Sequence, residues 1–136
     1  MTDVERAPRG VVDTCVIIDL PKIPAQSLPM RPVVSAVTTA ELAAGVQTAK
    51  DPLQRSLRVT HLLMIEANMD PVPFGEEAAR AYGTMVALVV GAGRDPRPRK
   101  FDLMIAATAA SLGLPLYTRN PDDFKGLESQ LNVVPV

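Results

Sequence analysis

The sequence predicts an α/β fold, a parallel sheet with helices packed on both faces. Two observations predict it. Short apolar runs alternate along the chain with longer stretches of helical periodicity. The runs are continuously apolar rather than alternating, as expected of strands buried on both faces. With 136 residues, 47% hydrophobic and 21% charged, the chain suits one globular domain spanning 1–136 with a sizeable core. No apolar run is long enough to span a bilayer. Residues 1–9 are polar and lack the apolar segment of a secretory signal, so they are read as a flexible tail on a cytoplasmic protein. Cys15 is alone, which excludes an internal disulfide.

The elements follow in order. Residues 10–13 form a short β-branched run ending in an acid, read as a buried strand that delivers Asp13 to the carboxyl edge of the sheet. A short helix starts at Thr14 and is broken by Pro21 and Pro24. Residues 32–37 read as a second strand, and Thr38-Thr39-Ala40-Glu41 opens a helix reaching about residue 49. Asp51-Pro52 is an N-cap followed by proline at the first helical position. Leu53, Leu57, Thr60, Met64 and Ala67 give the helix it starts an apolar stripe. Residues 70–74 are briefly extended, and Gly75-Glu76-Glu77 opens a helix to about Val90. A basic, proline-rich loop carries Arg94, Arg97, Arg99 and Lys100. The helix after it holds Asp102 in its first turn and is apolar or small on almost every side, which marks it as buried. It stops at Gly113. Residues 114–118 and 132–136 are strands, and Asn120-Pro121-Asp122-Asp123-Phe124 starts a helical turn between them.

Parallel sheets of this kind bind ligands at the carboxyl ends of their strands. Asp13, Glu41 and Asp123 fall at or after predicted strand ends, and the Asp102 helix is placed to enter the same crevice. Each acid has a local explanation. Thr38-x-x-Glu41 has the form of a capping box. Asp123 and Asp102 are first-turn acids favoured by the helix dipole, and Asp13 is placed to cap the next helix. What capping does not explain is the joint pattern. Four carboxylates brought to one end of one sheet repel each other and need a cation to stay ionised together. Hard oxygen donors suit Mg²⁺ or Mn²⁺. With a basic loop alongside, the fitting ligand is a phosphodiester and the fitting chemistry is its hydrolysis by a metal-activated water. The net charge of −1 argues against nucleic-acid binding by bulk charge but leaves the local patch in play. His61, the single histidine, lies far from these motifs and is read as structural.

Val12-Asp13-Thr14, Thr38-x-x-Glu41-Leu42, Asp102-x-x-Ile105-Ala106-Ala107 and Thr118-Arg119-Asn120-x-x-Asp123-Phe124, in that order and spacing, resemble the PIN-domain ribonucleases, specifically VapC-type toxins of toxin–antitoxin pairs. The resemblance covers nearly the whole chain. It implies a PIN-like three-layer fold with about five parallel strands and a Mg²⁺- or Mn²⁺-dependent endoribonuclease. Asp13, Glu41, Asp102 and Asp123 would form the acidic quartet, with Asp13 and Asp102 as the main metal ligands. Thr14, Thr118 and Asn120 would support them. It also implies a homodimer and a VapB-like antitoxin whose tail fills the active-site groove. Arg94, Arg97, Arg99, Lys100 and Arg119 are candidates for contact with the RNA backbone. Cys15 stands where the family frequently has Ser or Asn. Asp122 adjoins Asp123 and is the competing fourth carboxylate. The competing functions are a catalytically silent module that binds RNA or a partner, and an aspartyl phosphotransferase. The latter fits poorly, because Asp13-Thr14-Cys15 lacks a second aspartate two residues on.

Overall fold

The computed structural model describes residues 6–136. The elements are β1 (Arg9–Val12), α1 (Thr14–Ile18), β2 (Arg31–Val33), α2 (Ala36–Gln47), α3 (Pro52–Asn68), α4 (Glu76–Gly91), α5 (Lys100–Leu112), β3 (Leu116–Thr118) and β4 (Val133–Pro135), with short 3₁₀ turns between some of them. The sheet runs β2-β1-β3-β4 and every pairing is parallel. In β1 successive side chains face opposite ways. Val11 enters a core shared with α4 and α5, and Val12 enters one shared with α1, α2 and α3. The result is three layers, helices on either side of a thin sheet.

The sheet has four strands where about five were expected. Val72, in the extended segment before α4, makes a single parallel bridge to Ser35. Its N–H bonds Val34 O and its carbonyl accepts from Ala36 N, both at 2.8 Å. Pro71 and Pro73 flank it with their N–H-less edges turned away from that partner, where prolines are tolerated, and the pairing is confined to one rung.

Two other boundaries moved. Helix α2 starts at Ala36, and its cap is Ser35, whose hydroxyl accepts from Val37 N at 3.0 Å. The capping box read at Thr38 and Glu41 is not formed, because those residues lie inside the helix. Residues 1–5 of the tail expected over 1–9 lie outside the described residues. Arg6 bonds the carbonyls of Leu28 and Pro29, and Arg9 is already in β1.

Helix α5 is the centre of its layer. Leu103, Ile105, Ala106, Ala107 and Ala109 are fully buried, and the small side chains of the three alanines let neighbouring elements approach closely. Gly113 ends it at φ +67°, a left-handed cap that favours glycine. Gly10 answers a different need. A Cβ there would meet the Tyr117 ring at 2.6 Å, so β1 lies against that ring only without a side chain.

The stripe read on α3 is real but faces outward. Leu53 is 73% exposed and Leu57 55%. The buried contact of the helix is made by Ile65 instead. The Met64 end of the stripe borders a groove of about 580 Å³, also lined by Val12, Ile17, Leu20, Met69 and Val72. Among the described residues, no helix is long and apolar enough to cross a membrane.

Candidate active site

Asp13 follows β1 directly and caps α1. Its Oδ1 accepts from Val16 N at 3.1 Å and from the Cys15 thiol at 2.7 Å. The side chain is 4% exposed, and burial raises its pKa above the ordinary carboxylate value. Hydrogen bonds from Cys15, Thr118 and Val16 oppose that rise, and the charge of Asp123 adds to it.

Glu41 projects from α2. Thr14 Oγ1 donates to its Oε1 at 2.7 Å and stands 3.1 Å from Thr38 Oγ1. A hydroxyl has one proton, and the shorter contact, to the carboxylate, is the one to receive it. Thr14 therefore fixes one oxygen of Glu41. Burial raises the Glu41 pKa, opposed by Thr14 and reinforced by Asp13.

Asp102, in the first turn of α5, feels all three other acids. Its pKa is raised from 3.8 to about 6, first by burial and then by the charges of Asp123, Glu41 and Asp13, with Arg99 acting in the opposite sense. Asp123 sits on the 3₁₀ turn Pro121–Phe124 and pairs with Arg99 at 3.3 Å. Its neighbour Asp122 is exposed, and its backbone carbonyl accepts from Arg94. The charge that reaches Asp13 and Asp102 thus comes from Asp123.

The supporting residues gather at the end of β3. Thr118 is fully buried, its Oγ1 accepts from Asn120 N at 2.9 Å, and it lies 3.9 Å from Cys15 Sγ. Asn120 holds this turn through its backbone, and its side chain makes no capping bond. The candidate cations divide. Arg99 enters the acidic cluster, and Arg119 pairs with Asp19 at 3.4 Å. Arg97 pairs with Asp95, Arg94 bonds the carbonyls of Asp122 and Lys125, and Lys100 lies 5.5 Å from the centroid of the Phe101 ring. His61 is half-buried on α3, apart from these contacts.

Sequence reading missed two features. The thiol of Cys15 takes the hydrogen-bonding place that a hydroxyl would fill beside Asp13, and a cysteine in a strand-to-helix turn gives no local signal of it. Asp19 is a site-side partner for Arg119, joined across 100 positions that only folding closes.

The four acids thus come from four separate segments and share one electrostatic neighbourhood. Among the described residues, no three Asp, Glu, His or Cys side chains are closed into ligation geometry. The donor set still fits a hard divalent cation, because it is made of carboxylate oxygens and its charge is under-compensated at Asp102.

Residues 10–128 match the PIN domain family. The chain is 35% identical over 127 residues to the ribonuclease VapC5 of Mycobacterium tuberculosis, covering 91% of each protein. It is 28% identical to a ribonuclease VapC of Rickettsia bellii, over 93% of this chain and 96% of the relative. It superposes on the crystal structure of VapBC-5, a member of the VapBC family of toxin–antitoxin systems from Mycobacterium tuberculosis, with a TM-score of 0.80. That match has 33% identity and covers 95% of this chain and 99% of the other. With its sheet order, its four site segments and this likeness along nearly its full length, the chain belongs to the PIN-domain family, in its VapC branch.

Proposed function

We propose that the protein is a metal-dependent endoribonuclease and the toxin of a toxin–antitoxin pair, acting in the cytoplasm as one PIN domain. The observation that carries this is the mutual field of Asp13, Glu41, Asp102 and Asp123, which lifts Asp102 to about 6 beside a basic loop. Asp13 and Asp102 would hold Mg²⁺ or Mn²⁺, with Glu41 and Asp123 completing the set. When bound, such an ion lowers the pKa of a water and neutralises charge on the phosphate.

The chain's own residues prepare for that. The Cys15 thiol and the Val16 N–H hold Oδ1 of Asp13, and Thr118 adds a further hydrogen bond to the same carboxylate. Thr14 fixes one oxygen of Glu41, and the second would be the one to hold a water. Asp123, balanced by Arg99, sets the charge felt by Asp102. The cations of the 94–100 loop, with Arg119, supply contacts to the RNA backbone.

The relatives bear ribonuclease names, and the VapBC-5 structure is of a toxin–antitoxin system. An equivalent VapB-like antitoxin would fill the groove at the carboxylates with its tail, and the exposed Leu53 and Leu57 of α3 would offer it a further apolar contact. A homodimer is proposed with it, and light scattering on the purified protein tests that.

The test of activity is cleavage of total cellular RNA by wild type and Asp102→Asn, each with Mg²⁺, Mn²⁺ or EDTA. Discrete fragments from wild type alone, and only with metal, are expected. RNA binding with Mg²⁺ but no fragments would select instead a catalytically silent module that binds RNA.

A further inference from the structure

We propose that Phe101 is a stacking platform for an unpaired nucleobase of the RNA, next to the phosphate that is cleaved. The inference rests on the ribonuclease reading above and adds a specificity-determining residue to it.

The chain has three Phe, two Tyr and no Trp. Four of these aromatics have a role in the fold. Tyr117 and Phe124 are buried in the two cores, and Phe74 packs edge-to-face on Tyr82 with centroids 6.4 Å apart. Phe101 is the exception, 50% exposed on a helix whose following residues are nearly all buried. Leaving half an aromatic ring in water forgoes burial that the fold could use.

Its position gives the exposure a purpose. Phe101 is the residue before Asp102, so its Cα lies about 3.8 Å from that of a proposed metal ligand. It is also the residue after the 94–100 loop, where Arg94, Arg97, Arg99 and Lys100 are concentrated. Lys100 Nζ stands over the ring, 5.5 Å from its centroid, so the ammonium covers one face and a base would stack on the other. Cations for the backbone, an exposed ring for a base and one carboxylate of the site then follow each other over residues 94–102. Proteins that hold single strands combine charge and aromatic stacking in this way. Bases in an RNA helix are already stacked on each other, so the ring selects unpaired positions such as loops and ends.

The experiment uses Phe101→Trp, which introduces the chain's sole tryptophan, in an Asp13→Asn background that prevents cleavage. The probes are unpaired oligoadenylate, an abasic ribose-phosphate oligomer of equal charge, and a fully paired RNA duplex. Quenching of the tryptophan by oligoadenylate, with little by the other two, is expected. Phe101→Ala should bind oligoadenylate about tenfold to a hundredfold more weakly, and Phe101→Tyr about as well as wild type.

Equal affinity of Phe101→Ala and wild type would overturn the inference, as would equal quenching by the abasic oligomer. A tryptophan signal that follows protein concentration without RNA would also overturn it and assign Phe101 to a contact between copies. Cleavage of total RNA separates the two levels. If wild type and Phe101→Ala cleave with the same KM, the stacking role alone fails. If wild type neither binds nor cleaves RNA, the ribonuclease reading fails and takes this inference with it.

Discussion

Replacing Asp102 by Asn should stabilise the metal-free protein while abolishing cleavage. The cost of this carboxylate can be worked from its surroundings. Burial and three neighbouring acids hold Asp102 at about 6 in the folded chain, against an ordinary 3.8. Ionising it at pH 7 therefore costs about 3 kcal/mol at most. The side chain is only half-buried, and solvent screening reduces this to about 1–2 kcal/mol. Between about pH 4 and pH 6 the folded chain binds this proton more tightly than the unfolded chain. Stability is thus greatest on the acid side of that window, falls as pH rises through it and levels off above it. Asp13 and Glu41, both raised, act in the same direction, so Asn at 102 flattens the slope without removing it. In EDTA at pH 7 the variant should melt about 3–7 °C above wild type. Added Mg²⁺ or Mn²⁺ should raise the wild-type melting temperature and close the gap, because the ion binds only the folded site. Thermal melts at pH 4.5 to 7.5, with and without metal, read this directly. An Asp102→Asn protein that melts at or below wild type in EDTA at pH 7 would refute the reasoning. So would a wild type whose stability does not fall between pH 4.5 and 6.5.

Other consequences follow from single contacts. Thr14→Val removes the donor to Glu41, and a hydrogen bond to a charged group is worth about 1.5–3 kcal/mol, so the melting temperature should fall by about 5–10 °C and kcat at least about tenfold. Gly10→Ala drives a Cβ into the Tyr117 ring and should cost about 1–3 kcal/mol in urea unfolding; an unchanged midpoint would show that the ring yields freely. Leu53→Ser with Leu57→Ser should leave stability within about 1 kcal/mol, since both side chains are exposed, yet weaken antitoxin binding in calorimetry; undiminished affinity would remove the α3 stripe from that interface. Burial and Asp13 push the Cys15 thiol up to about 11, so alkylation by iodoacetamide at pH 7 should be far slower than for free cysteine, and fast labelling would mean that the turn after β1 opens.

The chain order of apolar runs and helical stripes determined the α/β class, because a buried parallel strand and a small-residue helix each leave a local mark. The same is true of Asp13 and Asp102. One follows a β-branched run, and the other opens a helix with few polar residues, so each stands out against its own segment. Glu41 was legible as a residue but not in its role. Its spacing from Thr38 matches a capping box, and only the start of α2 at Ala36, set by Ser35, turns it toward Thr14. The sequence favoured Asp123 over the adjacent Asp122 only through its spacing from Asn120 and its place before Phe124. The 3₁₀ turn after β3 separates them, exposing one and pairing the other with Arg99. Periodicity located the stripe on α3 but not the side it faces, since period reports a repeating face and not what covers it. The fifth strand is reduced to the single bridge of Val72 to Ser35, a pairing between distant segments that neighbouring residues do not encode. Local chemistry, then, is written in neighbouring residues. Which carboxylates share a field, and which apolar face is left for a partner, depend on distances between segments far apart in the chain, and folding alone sets those.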